Sequence, residues 1–185
     1  MARFVLNETS YHGSGAIKEI VTEAKARGFK KALVCSDVDL IKFGVTAKVT
    51  TLLDEAGMEY AVFSDIKPNP TIENVQAGGA ALNECGADYI IAVGGGSSMD
   101  CAKAVGARIV YPKRSLNQLK GLLKVLKKTP LLVAIPTTAG TGSEVTVTAV
   151  ITDSEKKHKY TMNNFTFIPD YAVLDPEVTY TQPPS

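Results

Sequence analysis

Short apolar runs alternate with longer amphipathic segments along this sequence. Residues 89–93 form an unbroken run of apolar, β-favouring side chains, which is typical of a strand covered on both faces in a parallel sheet. Similar runs predict further strands at residues 4–6, 31–35, 60–63 and 131–135, and β segments at 145–152, 159–162 and 172–174.

The amphipathic segments between these runs predict helices. Apolar residues recur at helical spacing over residues 16–26 and 40–53, and a third helix follows Thr71, a typical N-cap residue, and ends at Gly86. Further helices are predicted after the glycines at 94–96 and over residues 113–128. Strands and helices that alternate in this way predict an α/β fold, with helices flanking a parallel sheet.

Residues 113–128 also concentrate basic side chains. Five leucines fall on one predicted helical face, and Lys or Arg residues lie elsewhere. A solvated helix surface is the favoured interpretation, with a phosphate or nucleic acid patch as the alternative. The 20 basic and 19 acidic residues of the chain nearly balance, so neither nucleic acid nor an anionic membrane is expected as the main partner, and the ligand should be small.

Three consecutive glycines follow the strand at 89–93. Gly94, Gly95 and Gly96 carry no Cβ, so a phosphate can approach their backbone N–H groups closely. Ser97 or Ser98 is then expected to cap a helix whose N-terminus points toward the same place. The segment predicts a diphosphate cradle, and a ligand-free glycine turn is the alternative.

Polar or glycine-rich segments follow four of the predicted strands, and the carboxyl ends of parallel strands meet at one edge of a sheet, where ligands bind. They are Asp37, residues 68–71, residues 94–98 and residues 137–143. Asp37 could accept both hydroxyls of an adenine ribose and repel a 2′-phosphate, which favours NAD over NADP; a helix N-cap is the alternative. The segment 137–143 also carries hydroxyls that suit a pyrophosphate and the nicotinamide ribose, and a simple polar turn is the alternative. These hydroxyls belong to Thr137, Thr138, Thr141 and Ser143.

Chain length and composition limit the expected number of domains and the location of the protein. The chain has 185 residues, so we predict one domain over residues 1–185. No apolar run is long enough for a membrane span and residues 1–7 lack a signal-peptide core, so a cytoplasmic protein is expected. The three cysteines are widely spaced, which favours reduced core thiols over disulfides or a thiolate metal site.

Four sequence motifs together resemble the iron-containing (group III) alcohol dehydrogenases: GGGSSMDCAK, IPTTAGTGSEVT, ITDSEKKHKY and PDYAVLDPE. The segments NETSYHGSG and KPNPT are similar to the lactaldehyde (1,2-propanediol) reductases of that family. The resemblance covers essentially the whole chain. It implies a dehydroquinate-synthase-like Rossmann-type domain, followed in the family by an all-helical metal domain, and hydride transfer between a small alcohol or aldehyde and NAD(H).

The resemblance also implies roles for particular residues. The diphosphate would be held by Gly95, Gly96, Ser97 and Ser98, the adenine ribose by Asp37, and Asn69 would lie near the adenine. The pyrophosphate and nicotinamide side would face Thr137, Thr138 and Thr141, and the nicotinamide ribose or ring would be lined by Val150, Lys159 and Leu174.

In the family, Fe²⁺ (or Zn²⁺) is held by one Asp and three His of the helical domain. The only histidines here are His12 and His158, and neither has an Asp four residues before it, so no metal ligands are predicted in this chain. We therefore expect the chain to bind NAD(H) without turning over alcohol. The alternatives are a relative of glycerol dehydrogenase or dehydroquinate synthase, against which Ser97 argues, and a non-enzymatic NAD-binding module.

A homodimer is also expected. A strand at residues 4–6 would lie on an exposed sheet edge, and the resemblance implies a dimer built partly through it. The surface that packs on the helical domain in the family should be bare here, and it includes Val150, Tyr160, Phe165, Phe167 and Tyr171.

Overall fold

A computed structural model describes residues 5–180 of the chain. In chain order, its strands are β1 (Thr9–His12), β2 (Lys31–Cys35), β3 (Glu59–Phe63), β4 (Tyr89–Gly94), β5 (Gly121–Leu122), β6 (Leu131–Pro136), β7 (Thr148–Asp153), β8 (His158–Asn163) and β9 (Tyr171–Leu174). Its α-helices are α1 (Glu19–Ala26), continuing a 3₁₀ turn at Ala16–Lys18, α2 (Val38–Lys42), α3 (Val45–Glu55), α4 (Ile72–Cys85), α5 (Gly96–Val110) and α6 (Leu116–Leu119).

Six of these strands form one parallel sheet in the order β1-β9-β6-β4-β2-β3. Every residue of the central strands β4 and β6 is buried, as the continuous apolar runs predict. Alternate residues of these strands enter separate apolar clusters, one beneath α1, α2 and α3 and the other beneath α4 and α5. The predicted α/β fold, a Rossmann-like parallel sheet flanked by helices, is confirmed.

The strand order places a crevice at a particular point on the sheet edge. From β2 the chain passes outward to β3, whereas the next strand, β4, lies on the other side of β2. Ligands of such sheets bind where successive connections leave in opposite directions, beyond the carboxyl ends of the strands. Here that point lies between Asp37, which follows β2, and the glycine loop that follows β4.

A second, three-stranded sheet has the order β5-β8-β7 and packs on α5. The antiparallel hairpin of β7 and β8 is tied to the loop before α4, because Thr152 donates its backbone N–H to the carbonyl of Pro70 at 2.8 Å. The small sheet therefore lies beside the crevice.

The first strand is not where the apolar run predicts it. Phe4 lies outside the described residues, and Val5 and Leu6 belong to no strand, whereas β1 begins at Thr9. Along β1, half-buried and exposed residues alternate, since it is an edge strand that pairs only with β9 among the described strands.

The helix predicted over residues 40–53 is two helices. Gly44 has φ 75°, in the left-handed region that favours glycine, and its N–H bonds the carbonyl of Ile41 at 3.0 Å to close α2 before α3 begins. By contrast, the predicted N-cap of α4 is confirmed, because Thr71 and Asn74 form a reciprocal capping box.

The helix predicted over residues 113–128 is wrong. Only α6 forms, with Leu116 and Leu119 buried, and then Gly121 at φ 91° turns the chain into β5. Leu122 and Leu126 are 73% and 75% exposed, so the leucines share no single buried face.

The predicted bare apolar surface is also wrong for three of its five members. Tyr160, Phe167 and Tyr171 are buried within this chain, at 8%, 1% and 3% exposure. Phe165 is exposed and Val150 is half-buried. None of the helices in the described part of the chain has the length and apolar character that crossing a bilayer requires.

Candidate functional site

A cleft of about 440 Å³ opens at the crevice between β2 and β4. Seven predicted site residues line it: Asp37, Gly95, Gly96, Ser97, Ser98, Thr137 and Thr138. Its other lining residues, which sequence reasoning did not assign to the site except for the loop residue Pro68, are Val38, Asp39, Leu40, Phe43, Ile66, Lys67 and Pro68. Most of them follow Asp37 on α2 or precede Asn69, so they lie next in sequence to the predicted residues.

The glycine loop lies close to the loop that follows β6. A Cβ at Gly94 would lie 2.3 Å from Ser98 Oγ, and one at Gly95 would lie 3.0 Å from Thr138 Oγ1. Thr137 donates its backbone N–H to the carbonyl of Gly94 at 3.0 Å. Because side chains would not fit at these positions, the loop exposes only backbone atoms to the cleft.

The start of α5 carries no side-chain cap. Gly95 is its N-cap residue and the helix begins at Gly96, so the predicted cap at Ser97 or Ser98 is wrong. The chain reaches the helix through glycine backbone, and both serines fall inside the first turn. Since the first N–H groups of a helix have no intrahelical partner, this first turn presents donors and the positive end of the helix dipole to the cleft.

The side chain of Thr138 is unpaired. Its Oγ1 is buried, and no hydrogen-bond partner for it exists among residues 5–180. Unpaired buried hydroxyls are uncommon because each costs about 1–3 kcal/mol. Thr138 and Gly95 both line the cleft, so a ligand bound there with acceptor oxygens, such as a diphosphate, could accept a hydrogen bond from this hydroxyl after the side chain rotates.

Asp37 is both an N-cap and a residue of the cleft. Its Oδ1 accepts a hydrogen bond from the backbone N–H of Leu40 at 2.8 Å, and the side chain is half-buried in the cleft wall. A carboxylate has a second oxygen, to which the described structure gives no partner. The two interpretations of Asp37 are therefore compatible.

Asn69 and Lys159 form a hydrogen bond beside the start of α5. Asn69, at φ 59°, donates its backbone N–H to Ser97 Oγ at 3.3 Å, and its side-chain Oδ1 accepts from Lys159 Nζ at 2.7 Å. This contact brings β8 to the edge of the cleft.

The remaining predicted residues are placed less directly. Thr141 is exposed, and a Cβ on Gly96 would lie 3.8 Å from its Cβ. Val150 is on β7 and donates its N–H to Asp100 Oδ2 at 3.1 Å. Leu174 ends β9 and pairs in register with His12, and it does not line the cleft.

Two charged residues of α5 lie beneath the site, and sequence reasoning missed both although they belong to the motif GGGSSMDCAK. Burial raises the pKa of Asp100, which accepts hydrogen bonds from Ser143 Oγ and the N–H of Val150. Burial also lowers the pKa of Lys103 to about 8, an effect that the nearby carboxylates of Asp100 and Glu144 oppose. The signal available in the sequence was their helical spacing after the glycines.

No group of three or more His, Cys, Asp or Glu side chains that could hold a metal ion occurs in the described range 5–180. These residues therefore do not fit the metal that the family resemblance implies.

Comparison with known proteins agrees with the fold and with the motifs. The profile of the family "Iron-containing alcohol dehydrogenase" matches residues 7–176. Lactaldehyde reductase of Escherichia coli K12 is 42% identical over 184 residues, which cover 99% of this chain and 48% of the relative. NAD-dependent methanol dehydrogenase of Bacillus methanolicus is 38% identical over 183 residues, which cover 99% of this chain and 48% of the relative.

A solved structure of 1,3-propanediol oxidoreductase superposes with a TM-score of 0.94 at 34% identity, covering 99% of this chain and 48% of that one. The chain thus spans about half the length of the relatives it matches.

Proposed function

The chain belongs to the iron-containing alcohol dehydrogenase family, and we propose that it forms the NAD(H)-binding domain, over residues 1–185, of an enzyme that transfers hydride between a small alcohol or aldehyde and NAD. The observation that carries this proposal is the junction of Gly95 with Thr138. A loop without side chains faces a buried hydroxyl that has no partner within residues 5–180. Both features suit a diphosphate that would accept hydrogen bonds.

In this proposal the cofactor contacts are divided between two loops. The backbone of Gly94, Gly95 and Gly96 and the first turn of α5, with Ser97 and Ser98, bind the diphosphate. Thr137, Thr138 and Thr141 bind the pyrophosphate and nicotinamide side, with Asn69 near the adenine and Val150, Lys159 and Leu174 toward the nicotinamide. When bound, the nicotinamide supplies the hydride acceptor or donor, and the protein supplies binding and orientation.

Preference for NAD over NADP is assigned to Asp37. Its second carboxylate oxygen is free to accept from a ribose hydroxyl, and a 2′-phosphate there would meet a like charge. Asp39, two residues further along the chain and also lining the cleft, adds a second carboxylate to this repulsion.

The proposal assigns no metal ligand to this chain. In this proposal the divalent metal, Fe²⁺ or Zn²⁺, would be held by residues outside this chain's described range, where it would polarise the substrate oxygen. We therefore expect the chain by itself to bind cofactor without turnover. Background rates with 1,2-propanediol, NAD⁺ and either metal would agree, and metal-dependent turnover would contradict this.

Assembly and location are part of the same proposal. The edge strand β1 pairs with β9 on one side, and we propose that its other side mediates a homodimer in the cytoplasm. Light scattering at micromolar concentration should report a dimer, and a monodisperse monomer would contradict it.

Calorimetric titration of the chain with NAD⁺ tests the cofactor site. Gly95→Ala places a Cβ 3.0 Å from Thr138 Oγ1, and Gly95 has φ −82°, which alanine adopts without strain. The added methyl should therefore act sterically in the cradle and weaken NAD⁺ binding by roughly tenfold or more.

Gly79→Ala is the matched control. Gly79 lies within α4, and a Cβ there would meet only flexible side-chain atoms, with Arg108 Cγ nearest at 3.3 Å. This variant should bind NAD⁺ as the wild type does. Equal affinity of Gly95→Ala and wild type, or no NAD⁺ binding by the wild type, would overturn the proposed function.

A further inference from the structure

Lys103 is a buried cation surrounded by oxygen atoms of one segment. It is 2% exposed, and its Nζ donates to the carbonyls of Ser143, Thr146 and Thr148 at 2.7, 3.0 and 3.0 Å. The hydroxyls of Ser143 and Thr146 lie at 3.3 and 3.2 Å from the same nitrogen. An ammonium group has three N–H donors, and here all its partners belong to residues 143–148.

This segment continues the loop that follows β6. At the near end of the loop, Thr137 N–H bonds the carbonyl of Gly94 at 3.0 Å. At the far end, Lys103 binds residues 143–148, and Asp100 accepts from Ser143 Oγ at 2.9 Å and from the N–H of Val150 at 3.1 Å. Residues 138–142 therefore span two anchors, and both anchors rest on the β4–α5 unit that carries the glycine loop.

Between the anchors the loop has little support of its own. Residues 139–141 are exposed, and Gly140 and Gly142 have φ 86° and 63°, in the left-handed region. A glycine-containing span has many alternative conformations, so its position depends on how its ends are held.

The charges around Lys103 agree with a role other than plain stabilisation. Burial opposes the ammonium form, so a lysine in this position is costly to fold and is rarely found. The carboxylates that face it are Asp100, on the same helix, and Glu144, on the segment it binds.

We propose that Lys103 is a positioning residue, which fixes residues 143–148 on α5 and thereby holds Thr138 and Thr141 over the glycine loop. Its importance for the ligand rests on the NAD(H) binding proposed above. The backbone contact itself is independent of that function, so the two can be tested separately.

Hydrogen exchange of the backbone amides, measured on the full chain without cofactor, tests the contact. In Lys103→Met, which keeps the length of the side chain but has no donor, exchange of residues 138–150 should rise by about tenfold or more, with little change in α1 to α3. NAD⁺ affinity should fall by about tenfold as the two loops lose their spacing.

Lys31→Met is the control, since Lys31 makes one ion pair, with Glu59 at 3.2 Å, at the opposite end of the sheet. It should leave the exchange of residues 138–150 unchanged. If Lys103→Met does not fold, Lys103→Gln, which retains two N–H donors, should fold and show the same regional increase to a smaller extent.

Dependence on pH separates positioning by charge from simple packing. Because burial lowers the pKa of Lys103 to about 8, opening of residues 143–148, which would return the amine toward its ordinary pKa, becomes less favourable as the pH rises above 8, so wild-type exchange at residues 138–150, corrected for intrinsic rates, should fall there. In Lys103→Met this step should be missing.

Wild-type exchange rates in the variant, or an increase spread evenly over the chain, would overturn the proposal. Absence of NAD⁺ binding in every protein, wild type included, would count against the proposed function instead, and the exchange data alone would then decide the role of Lys103.

Discussion

The two ends of the main sheet carry similar polar side chains but pair them to different degrees. At the amino end, Asp88 Oδ2 accepts hydrogen bonds from the N–H groups of Lys30 and Lys31 at 2.7 and 3.0 Å, and Asp170 Oδ2 accepts from that of Leu132 at 2.9 Å. These carboxylates hold the starts of neighbouring strands. Each of them uses one carboxylate oxygen for these backbone donors.

A second amino-end cluster repeats this pairing around Glu23. Its carboxylate accepts from the hydroxyls of Tyr11 and, at 2.6 Å, Tyr171, while Arg27 Nε donates to the Tyr171 oxygen at 2.7 Å. The hydrogen bonds from the two tyrosines lower the pKa of Glu23, and the bond to Glu23 raises the pKa of Tyr11 to about 12. The exception at this end is Tyr89, whose buried hydroxyl has no partner in the described range.

At the carboxyl end, the polar groups are less completely used. Thr138 Oγ1 has no partner within residues 5–180, and the start of α5 has no side-chain cap. Asp37, like Asp88 and Asp170, uses one carboxylate oxygen for a backbone donor. We propose that the amino end of the sheet mainly serves stability and that the carboxyl end binds the ligand. Substitutions at the two ends should therefore separate folding from binding.

Among the substitutions that test this division between folding and binding, the largest effect on cofactor binding is expected at Asp37. Asp37→Ser keeps an N-cap oxygen for Leu40 but removes the carboxylate, so the ratio of NADP⁺ to NAD⁺ affinity should rise by about tenfold to hundredfold. Calorimetry with both cofactors measures the ratio. Glycine would be a poorer choice, because it removes the cap as well.

Asp54→Ser is the control for that change. Asp54 accepts from the hydroxyl of Tyr60 at 3.1 Å at the amino end, so the affinity ratio should stay at its wild-type value. An unchanged ratio in Asp37→Ser as well would mean that Asp37 is only a helix cap.

The second largest effect is expected for a substitution at the amino end of the sheet, which should change the free energy of unfolding. Tyr171→Phe removes one hydrogen bond to Glu23 and one from Arg27, and should lower the free energy of unfolding by about 1–2 kcal/mol. Urea denaturation measures this change, and NAD⁺ affinity should be unaffected. A parallel loss of affinity would break the proposed division of the molecule.

The same cluster predicts a dependence on acid. Because the pKa of folded Glu23 lies below its ordinary value of 4.5, its contribution to stability is present above pH 4.5 and is lost as the pH falls through the folded pKa. Tyr171→Phe removes one cause of the shift, so its unfolding free energy should fall less steeply below pH 4.5. Equal slopes in the two proteins would show that the tyrosine contact does not set the pKa.

The sequence predicts the sheet better than the segments that surround the site. Strands β2, β4 and β6 are buried on both faces, so their apolar runs identify them without tertiary information. The region 113–128 is misleading, because the sequence pattern gives more weight to five leucines at helical spacing than to Gly121, whose positive φ ends the helix. Helix propensity and the spacing of apolar residues are weak predictors of structure where a short segment packs against strands that are distant in sequence.

Sequence reasoning named seven residues that line the cleft and missed Asp100 and Lys103, which lie beneath it. The position of Asp37 after a strand suffices to place it at the sheet edge. No local pattern shows that Lys103 will meet carbonyls that lie 40 to 45 residues further along the chain. Leu174, assigned by resemblance, pairs with His12 at the sheet edge and has no contact with the cleft among those described.

Thr138→Val tests the central claim most directly. The substitution keeps the shape of the side chain and removes a hydroxyl that has no partner in the described chain, so the free energy of unfolding should stay within about 0.5 kcal/mol of wild type or rise. NAD⁺ affinity should fall by about tenfold, because in our proposal the same hydroxyl donates a hydrogen bond to the ligand. Unfolding by urea and titration with NAD⁺, measured on one preparation, give both values. A loss of stability with unchanged NAD⁺ affinity would contradict the account.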